Sequence, residues 1–552
     1  MKKKLLFAIF VFIFIAILML LFFLKAPKKP IEKEVTYYLS NNIEMVDIFD
    51  SEQNKIKTMV RGNEVLLRES EFNKEQSLIP VKINKENFFI LRENLVKNKI
   101  DIVGEKEVFV RTHATLYSDF ENGNINGVAN KGEKLEVIGY ENLLDDGTVE
   151  LYKVKKDGND SYIYKKYVVK TQEEADKHYD KYYNLHKDIK DVHSKVGGNG
   201  SSLDFYPREK PKFEDNIMPE EVNAFYLTSA GFVLKGIDQY IKYAKTTKIN
   251  AFVVDIKDYG SSGYKSNVFK EMSPTNYKYG NNSIETYKEG IRKLKEAGFY
   301  TIGRITVFKD SWFVQDNPDV AILDKRTGKP FDSGRWPSAF NRKVWEFNVS
   351  LAKEAVKEFG FNEIQFDYVR FPDRIVAQEK KGNLDFKNIY KEDKVQAIQR
   401  FLMYATDELH KLNVYVSADV FGESVNKYIT AYGQYWPAIS NVVDVISGMP
   451  YPDHFARNSY GIKIPWENPY SLMYNWGKDA NLRQQEIPTP AIARTWILAQ
   501  NTMQGYKYNS DHISAQIKAL KDANLKGGYM TWSSSGSLQG YKNRNAAYVK
   551  EY

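Results

Sequence analysis

The pattern of apolar and polar residues changes character along the chain. Residues 5–24 form one unbroken apolar run, residues 35–170 alternate in short runs, and apolar runs alternate with amphipathic stretches after residue 223. Short alternating runs separated by Gly turns predict small all-β modules, whereas strand–helix alternation predicts a parallel α/β fold. The pattern therefore predicts a terminal apolar helix, small β modules and a large C-terminal α/β domain.

The C-terminal region carries eight strand-like runs separated by helical candidates. Eight strand–helix units over about 310 residues fit a (β/α)8 barrel, or TIM barrel. A doubly wound open sheet is the alternative, but residues 228–231 lack the Gly-rich phosphate turn expected after its first strand. The predicted strands are 224–229, 251–257, 301–308, 363–371, 414–421, 445–451, 489–496 and 528–533.

The β region contains two copies of one pattern, about 70 residues apart. Residues 101–170 resemble a bacterial SH3-like module through ATLYSD, KGEKLEVIGYE, YKVKKDG and YIYKKYV, and residues 31–100 are a weaker copy. This resemblance implies a cell-wall or peptide ligand, with a simple spacer as the alternative. The predicted domains are an anchor at 1–30, β modules at 31–100 and 101–170, a linker with a charged helix at 171–222, and the barrel at 223–552.

The apolar run at the N-terminus predicts where the protein is located. Twenty residues at about 1.5 Å each span the roughly 30 Å core of a bilayer. Lysines flank the run on both sides, and the residues after it make a poor cleavage site. We therefore expect an uncleaved signal anchor, with one transmembrane helix in the cell membrane and the bulk of the chain extracytoplasmic.

Composition excludes several kinds of chemistry. The chain has no Cys, so disulfides, thiolate metal sites and a Cys nucleophile are excluded. A net charge of +8 is too small by itself to predict a nucleic-acid partner. The His pattern of a barrel metallohydrolase is missing, since the barrel region has only His410, His454 and His512. We expect no metal or other cofactor, and chemistry carried out by carboxylates.

Strand alternation identifies which polar residues face the inside of the barrel. Catalytic residues of such barrels lie at the C-terminal ends of strands. Because strand residues alternate between faces, Asp255 and Lys257 of the second strand and Asp419 of the fifth are expected inside, while Asp367 is nearest the end of the fourth. The same reasoning gives a ring of Asp255, Arg304, Asp367, Asp419, Tyr451, Arg494 and Trp532.

Two carboxylates beside aromatic residues are the components of a glycoside hydrolase. Arg370, with Arg304 or Arg494, favours an ionised Asp367, and the apolar neighbours of Asp419 suit a proton donor. A structural Arg–Asp network that fills the barrel is the alternative. The expected substrate contacts are Asp255, Lys257, Arg304, Tyr368, Arg370, Tyr451, His454, Arg494, Trp496 and Trp532.

Residues 223–541 resemble the glycoside hydrolase domain family DUF4015. The motifs that carry the resemblance are NAFVVDIKD, GRITVFKD, EIQFDYVRFP, VSADVFG, GMPYPDHF and ARTWILAQ, in this order. The resemblance implies a TIM-barrel glycosidase-like fold in which Asp367 is the nucleophile and Asp419 the proton donor. Together these observations predict a membrane-anchored hydrolase of a cell-surface or exported polysaccharide. A non-catalytic carbohydrate- or cell-wall-binding scaffold with a degenerate barrel is the alternative.

Overall fold

The computed structural model describes residues 2–24 and 32–552. The N-terminal helix is Lys2–Leu24, and its side chains at 6–19 are exposed. Within the described residues, no helix was found that is both long and apolar enough to cross a membrane. The predicted anchor is therefore not shown, and its basic flank at 25–31 lies outside the described residues.

The first β module is an antiparallel sheet whose core follows the sequence alternation. In Glu64–Arg68, for example, Val65 and Leu67 are buried while the residues between and beside them are exposed. In chain order the strands lie third, second, sixth, fifth, fourth, first and seventh across the sheet. They are Glu34–Leu39, Met45–Phe49, Lys55–Val60, Glu64–Arg68, Leu78–Ile83, Glu86–Leu91 and Leu95–Val96.

The second β module has seven strands in the same order, so the sequence repeat corresponds to a repeat in topology. Its strands are Glu107–Val110, Ala114–Asp119, Asn124–Ala129, Lys134–Leu143, Val149–Lys156, Asn159–Tyr164 and Val168–Val169. The chain divides into two compact units, and Phe109–Lys134 and Tyr167–Tyr552 belong to the same one. The N-terminal region is thus all-β, as predicted.

Eight parallel strands form a nearly closed barrel in the C-terminal region. Neighbours pair in the order β7-β6-β5-β4-β3-β2-β1-β8-β7, and every pairing is parallel. The ring is interrupted only within β7, where two short stretches pair with different neighbours. The strands are β1 (Val222–Leu227), β2 (Ala251–Asp258), β3 (Tyr300–Thr306), β4 (Glu363–Asp367), β5 (Tyr415–Phe421), β6 (Val445–Met449), β7 (Ile492–Ala493 with Thr495–Leu498) and β8 (Gly528–Trp532).

Helices cover the outside of the barrel, and local sequence sets their ends. Arg342–Phe359 begins after Asn341, whose side chain accepts from the Lys343 N–H, and ends at Gly360 with φ +66°. The longer helices are Ile237–Ala244, Ile284–Glu296, Arg342–Phe359, Lys394–His410, Pro469–Gln485 and Ser510–Asp522. The shorter ones are Gly231–Lys235, Asn267–Met272, Pro274–Lys278, Ser311–Asp316, Val376–Lys380, Trp436–Ser440, Leu538–Lys542 and Ala546–Val549.

The predicted parallel barrel is confirmed as a nearly closed one, and the fourth and seventh strands depart furthest from their predicted bounds. The fourth strand ends at Asp367 rather than at 371, because Tyr368 has φ +52° and leaves the extended conformation. The seventh strand is broken at Arg494. Both irregularities occur at residues that the sequence had marked as candidates for the site.

The connector before the barrel packs against it. Only two short helices, Gln172–Asp176 and Asp180–His186, form where a charged helix was expected. Leu203 and Phe205 are buried in an apolar cluster with Val395, Ile429, Tyr435 and Ala438 of the barrel domain. The Asn216 amide donates to the carbonyls at 362 and 413, at 2.8 and 2.7 Å. Such contacts make the connector part of the barrel unit rather than a free spacer.

The hairpin formed by Ala114–Asp119 and Asn124–Ala129 rests on two barrel helices. The Tyr404 hydroxyl donates to the Gly123 carbonyl at 2.8 Å. Lys353 donates to the Asn122 carbonyl at 3.0 Å and pairs with the buried Glu408 at 2.8 Å. This face of the hairpin is therefore occupied by the barrel helices.

Gly123 offers a test of this packing. It has φ +77°, and an added Cβ would lie 2.3 Å from Oε2 of Glu408. Gly298 has φ +89° but open space around it. We expect Gly298→Ala to cost only the left-handed backbone penalty of about 1–2 kcal/mol, and Gly123→Ala to cost about 1–3 kcal/mol more. Urea unfolding of the two variants measures the difference, and equal costs would contradict the packing.

Candidate active site

Arg304 lies at the centre of a buried charge cluster inside the barrel. It belongs to β3 and is 2% exposed. Its Nη2 and Nε donate to Oδ2 of Asp367 at 2.6 and 3.1 Å, and its Nη1 donates to Oδ1 of Asp255 at 2.6 Å. Asp258 accepts a longer bond of 3.3 Å. Because each buried ion costs several kcal/mol in lost hydration, none of these groups is stable without the others.

Asp255 connects Arg304 to a third strand. It pairs in register with Arg304 across β2 and β3, and its Oδ2 accepts from the Tyr226 hydroxyl of β1 at 2.5 Å. Burial raises the pKa of Asp255 to about 7, even though Arg304 acts in the opposite direction. Tyr226, Asp255 and Arg304 therefore form a row of hydrogen-bonded side chains that leads to Asp367.

Asp367 is the last residue of β4 and accepts hydrogen bonds at both oxygens. Besides the two bonds from Arg304 at Oδ2, its Oδ1 accepts from the Tyr368 backbone N–H at 2.6 Å. Its side chain is 10% exposed, whereas that of Arg304 is 2% exposed. All three donors suit an acceptor-only carboxylate, and the residue retains limited access to solvent.

Asp419 lies on the neighbouring strand β5 in different surroundings. It is fully buried, and its Oδ1 accepts from Nε1 of Trp496 at 2.8 Å. Its Oδ2 is buried without a hydrogen-bond partner among the described residues. Burial, and next the charge of Asp367, raise the pKa of Asp419 well above its usual range. These surroundings favour the protonated form of this carboxyl group.

The strand register places the two carboxyl residues side by side. Gln365 pairs with Ser417 and Phe366 with Ala418 across β4 and β5. The next residues on the two strands are Asp367 and Asp419, and adjacent strands lie about 4.7–4.9 Å apart. The charge of one residue consequently affects the ionisation of the other.

Aromatic rings surround these carboxyl groups. Trp532, at the end of β8, has its ring centre 5.1 Å from Tyr226, 6.0 Å from Trp496 and 6.4 Å from Tyr451. Burial raises the pKa of the Tyr451 hydroxyl, and the charges of Asp419 and Asp367 add to this effect. The structure thus brings Tyr451, Trp496 and Trp532 together with the acidic cluster.

A cavity of about 880 Å³ opens beside the ends of β5 and β6. Phe421 and His454 line it, and the Arg370 guanidinium lies 4.4 Å from the Phe421 ring centre and 5.0 Å from that of Tyr368. His454 is half exposed, and its Nδ1 lies 2.9 Å from Oδ1 of Asp453. The volume is within the range of about 300–1,000 Å³ that is typical of ligand sites.

Comparison with known proteins identifies the family. Residues 224–537 match the family model DUF4015, described as "Putative glycosyl hydrolase domain". The chain belongs to this family. A search of the curated proteins found no match.

Several solved structures are similar to parts of this chain. One is a hypothetical protein from Ruminiclostridium thermocellum, 30% identical, covering 36% of this chain and 97% of that chain, with a TM-score of 0.30. The PgaB (BpsB) glycoside hydrolase domain from Bordetella bronchiseptica is 12% identical, with coverage of 60% and 100% and a TM-score of 0.43. A beta-N-acetylhexosaminidase from Bacteroides fragilis is 14% identical, with coverage of 59% and 65% and a TM-score of 0.40.

Lys257 does not lie with the acidic cluster of the DUF4015 domain, contrary to the prediction from alternation. It is fully buried, pairs with Asp310 at 2.7 Å, and lies 4.9 Å from the ring centre of Phe347 in the helix layer. The pairing of β2 with β3 shifts register between Asp255 and Lys257. This irregularity breaks the alternation and turns Lys257 toward the helices.

Arg494 also lies apart from Arg304. It is fully buried and pairs with Glu363 through two bonds of 2.8 and 2.9 Å. Glu363 is the first residue of β4, at the opposite end of that strand from Asp367, and also accepts from Tyr300 at 3.1 Å. Arg494 thus pairs with a carboxylate near the N-terminal ends of the barrel strands.

Two residues near the site were not among those predicted from the sequence. Tyr226 lies on β1, next to the strand that carries Asp255, and this position was the available signal. Glu423 follows β5 directly and lines the cavity. A carboxylate just after a barrel strand was the signal for Glu423, because loops after strands carry the sites of this fold.

Among residues 2–24 and 32–552, no three His, Asp or Glu side chains are grouped to hold an ion. His410 instead contacts Asp444 at 2.8 Å, and His186 contacts the Tyr435 hydroxyl at 2.9 Å.

Asp255 makes stability depend on pH. Its pKa of about 7 exceeds the roughly 3.9 of an unfolded Asp, so between these values only the unfolded chain has released the proton. The contribution of Asp255 to stability is therefore highest below about pH 4 and falls as the pH rises toward 7. We expect the melting temperature of Asp255→Asn, relative to wild type, to increase between about pH 4 and pH 8. A difference that is constant over this range would contradict the raised pKa.

Proposed function

We propose that the barrel is a glycoside hydrolase that cleaves a cell-surface or exported polysaccharide by acid/base catalysis with two carboxyl groups. The observation that carries the proposal is the pair Asp367 and Asp419, on adjacent strands but in opposite surroundings. Arg304 and a backbone N–H donate to Asp367, whereas Asp419 is buried and its pKa is raised. Glycoside hydrolysis requires one carboxylate and one carboxylic acid.

The two groups have complementary roles in this proposal. Asp419 gives its proton to the oxygen of the leaving sugar as the glycosidic bond breaks. Asp367 either bonds to the anomeric carbon or takes a proton from the water that attacks it. Arg304, held by Asp255, keeps Asp367 in place and stays charged throughout. The surrounding aromatic rings exclude water from Asp419.

A non-catalytic carbohydrate-binding scaffold is the second candidate. Asp419 is fully buried, and Asp367 is already paired with Arg304. Both features also suit a structural network that only fills the barrel. The extracytoplasmic location and a ligand for the β modules rest on the sequence alone and stay predictions.

Substitution of the two Asp residues tests the catalytic proposal. We expect Asp367→Asn and Asp419→Asn each to lower the rate of glycan cleavage by about 10²–10⁴-fold. Asp238→Asn is the matched control, because Asp238 is an exposed residue of an outer helix and pairs only with Lys293 among the described residues. Reducing ends released from a panel of polysaccharides give the rate, and circular dichroism verifies the fold.

The outcome separates the two candidate functions. Full activity in either Asp variant would remove that residue from the mechanism. Tight binding of a glycan by the wild-type chain, with no release of reducing ends, would favour the scaffold.

A further inference from the structure

The cavity beside β5 and β6 has an apolar wall and a polar end. Phe421, Phe455 and Tyr460 contribute rings to its lining, with the centres of Phe455 and Tyr460 6.3 Å apart. The Tyr460 hydroxyl donates to Asp479 at 2.9 Å. Since that hydroxyl is already bonded, what Tyr460 offers to a ligand is mainly the face of its ring.

One of these rings belongs to a residue with a strained backbone. Tyr460 has φ +53° and Tyr368, beside Asp367, has φ +52°, and no other Tyr among the described residues has positive φ. Such a conformation costs about 1–3 kcal/mol for a bulky residue, and strain of this kind clusters at functional sites. Tyr460 lies at the cavity, and Tyr368 lies next to Asp367, the proposed nucleophile.

Glu423 forms the polar end of the cavity. Its oxygens accept from the hydroxyls of Tyr428 at 3.0 Å and Tyr432 at 2.8 Å, and the residue is exposed. Within the described part of the chain it makes no ion pair, so its charge is not compensated by a cation. A carboxylate has about four acceptor positions, which leaves Glu423 able to accept from a ligand.

The cavity lies close to residues that contact the proposed catalytic pair. Phe421 follows Asp419 by two residues on β5, and Arg370 lies between the rings of Phe421 and Tyr368. On the other side, the His454 ring lies 5.3 Å from Tyr451, whose ionisation responds to both Asp residues. A chain bound at the catalytic pair could therefore continue into this cavity.

We propose that the cavity is a subsite for a further pyranose unit of the glycan, with Tyr460 stacking on the sugar and Glu423 accepting from its hydroxyl or amino group. A pyranose ring combines an apolar face with hydrogen-bond donors at its edge, which matches an aromatic wall ending in a free acceptor. The proposal rests on the proposed function, because it assigns the cavity to the same substrate. It makes Glu423 and Tyr460 determinants of affinity for long substrates.

The test uses the full chain and four hexasaccharides: cellohexaose, maltohexaose, chitohexaose and fully deacetylated chitohexaose. Calorimetry measures binding, and released reducing ends measure cleavage. We expect Glu423→Gln and Tyr460→Gly each to weaken binding of the preferred hexasaccharide by roughly tenfold. Glycine at 460 removes the ring and tolerates the positive φ, so the variant should fold. Tyr470→Ala, at an exposed Tyr that pairs with Asp522, is the matched control.

The results distinguish this proposal from the proposed function. Unchanged affinity in both variants, or no binding of any hexasaccharide by wild type, would overturn the subsite. Binding that both variants weaken, without cleavage by wild type, would support the subsite and contradict the hydrolase. A preference for the deacetylated sugar that Glu423→Gln abolishes would identify the recognised group as an amine, and an equal loss for neutral sugars would identify a hydroxyl.

Discussion

The buried guanidinium of Arg304 is the interaction on which the proposed site depends. One cation, 2% exposed, is shared by Asp255 and Asp367 from the strands on either side. Burial of a lone charge at this depth would cost many kcal/mol, so the three side chains have to be placed together by the barrel. Within this cluster, Asp367 lies at the end of its strand, and its side chain remains partly accessible to solvent.

The same fold produces a different environment one strand away. Asp419 makes no ion pair with a described residue, accepts from Trp496, and lies where burial has a larger effect on its pKa than the charge of Arg304. Two carboxyl groups on adjacent strands thus lie in different surroundings, because one is paired with Arg304 and the other is buried among aromatic rings. A hydrolase of glycosidic bonds needs this difference, and a structural network does not.

Sequence alone could predict much of the barrel, since eight apolar runs and strand alternation indicated both the fold and the residues Asp255, Arg304, Asp367 and Asp419 that the structure gathers. Lys257 departs from the prediction because a register shift follows Asp255, and alternation cannot anticipate such a shift. Arg494 faces the interior of the barrel but lies with Glu363, at the opposite end of β4 from Asp367. Strand alternation predicts which face a residue is on, not which end of the barrel it lies at. Tyr460 and Glu423 lie in loops, where no periodic pattern specifies position. The anchor at the N-terminus was expected from the sequence but is not shown.

The most direct test of the central claim is the protonation state of Asp419 at neutral pH. Infrared difference spectroscopy between the wild-type chain and Asp419→Asn reports the carboxyl group that the substitution removes. We predict the loss of a protonated carboxylic acid band, and no loss of an ionised carboxylate band. Loss of a carboxylate band instead would show that Asp419 is charged and would contradict its role as the proton donor.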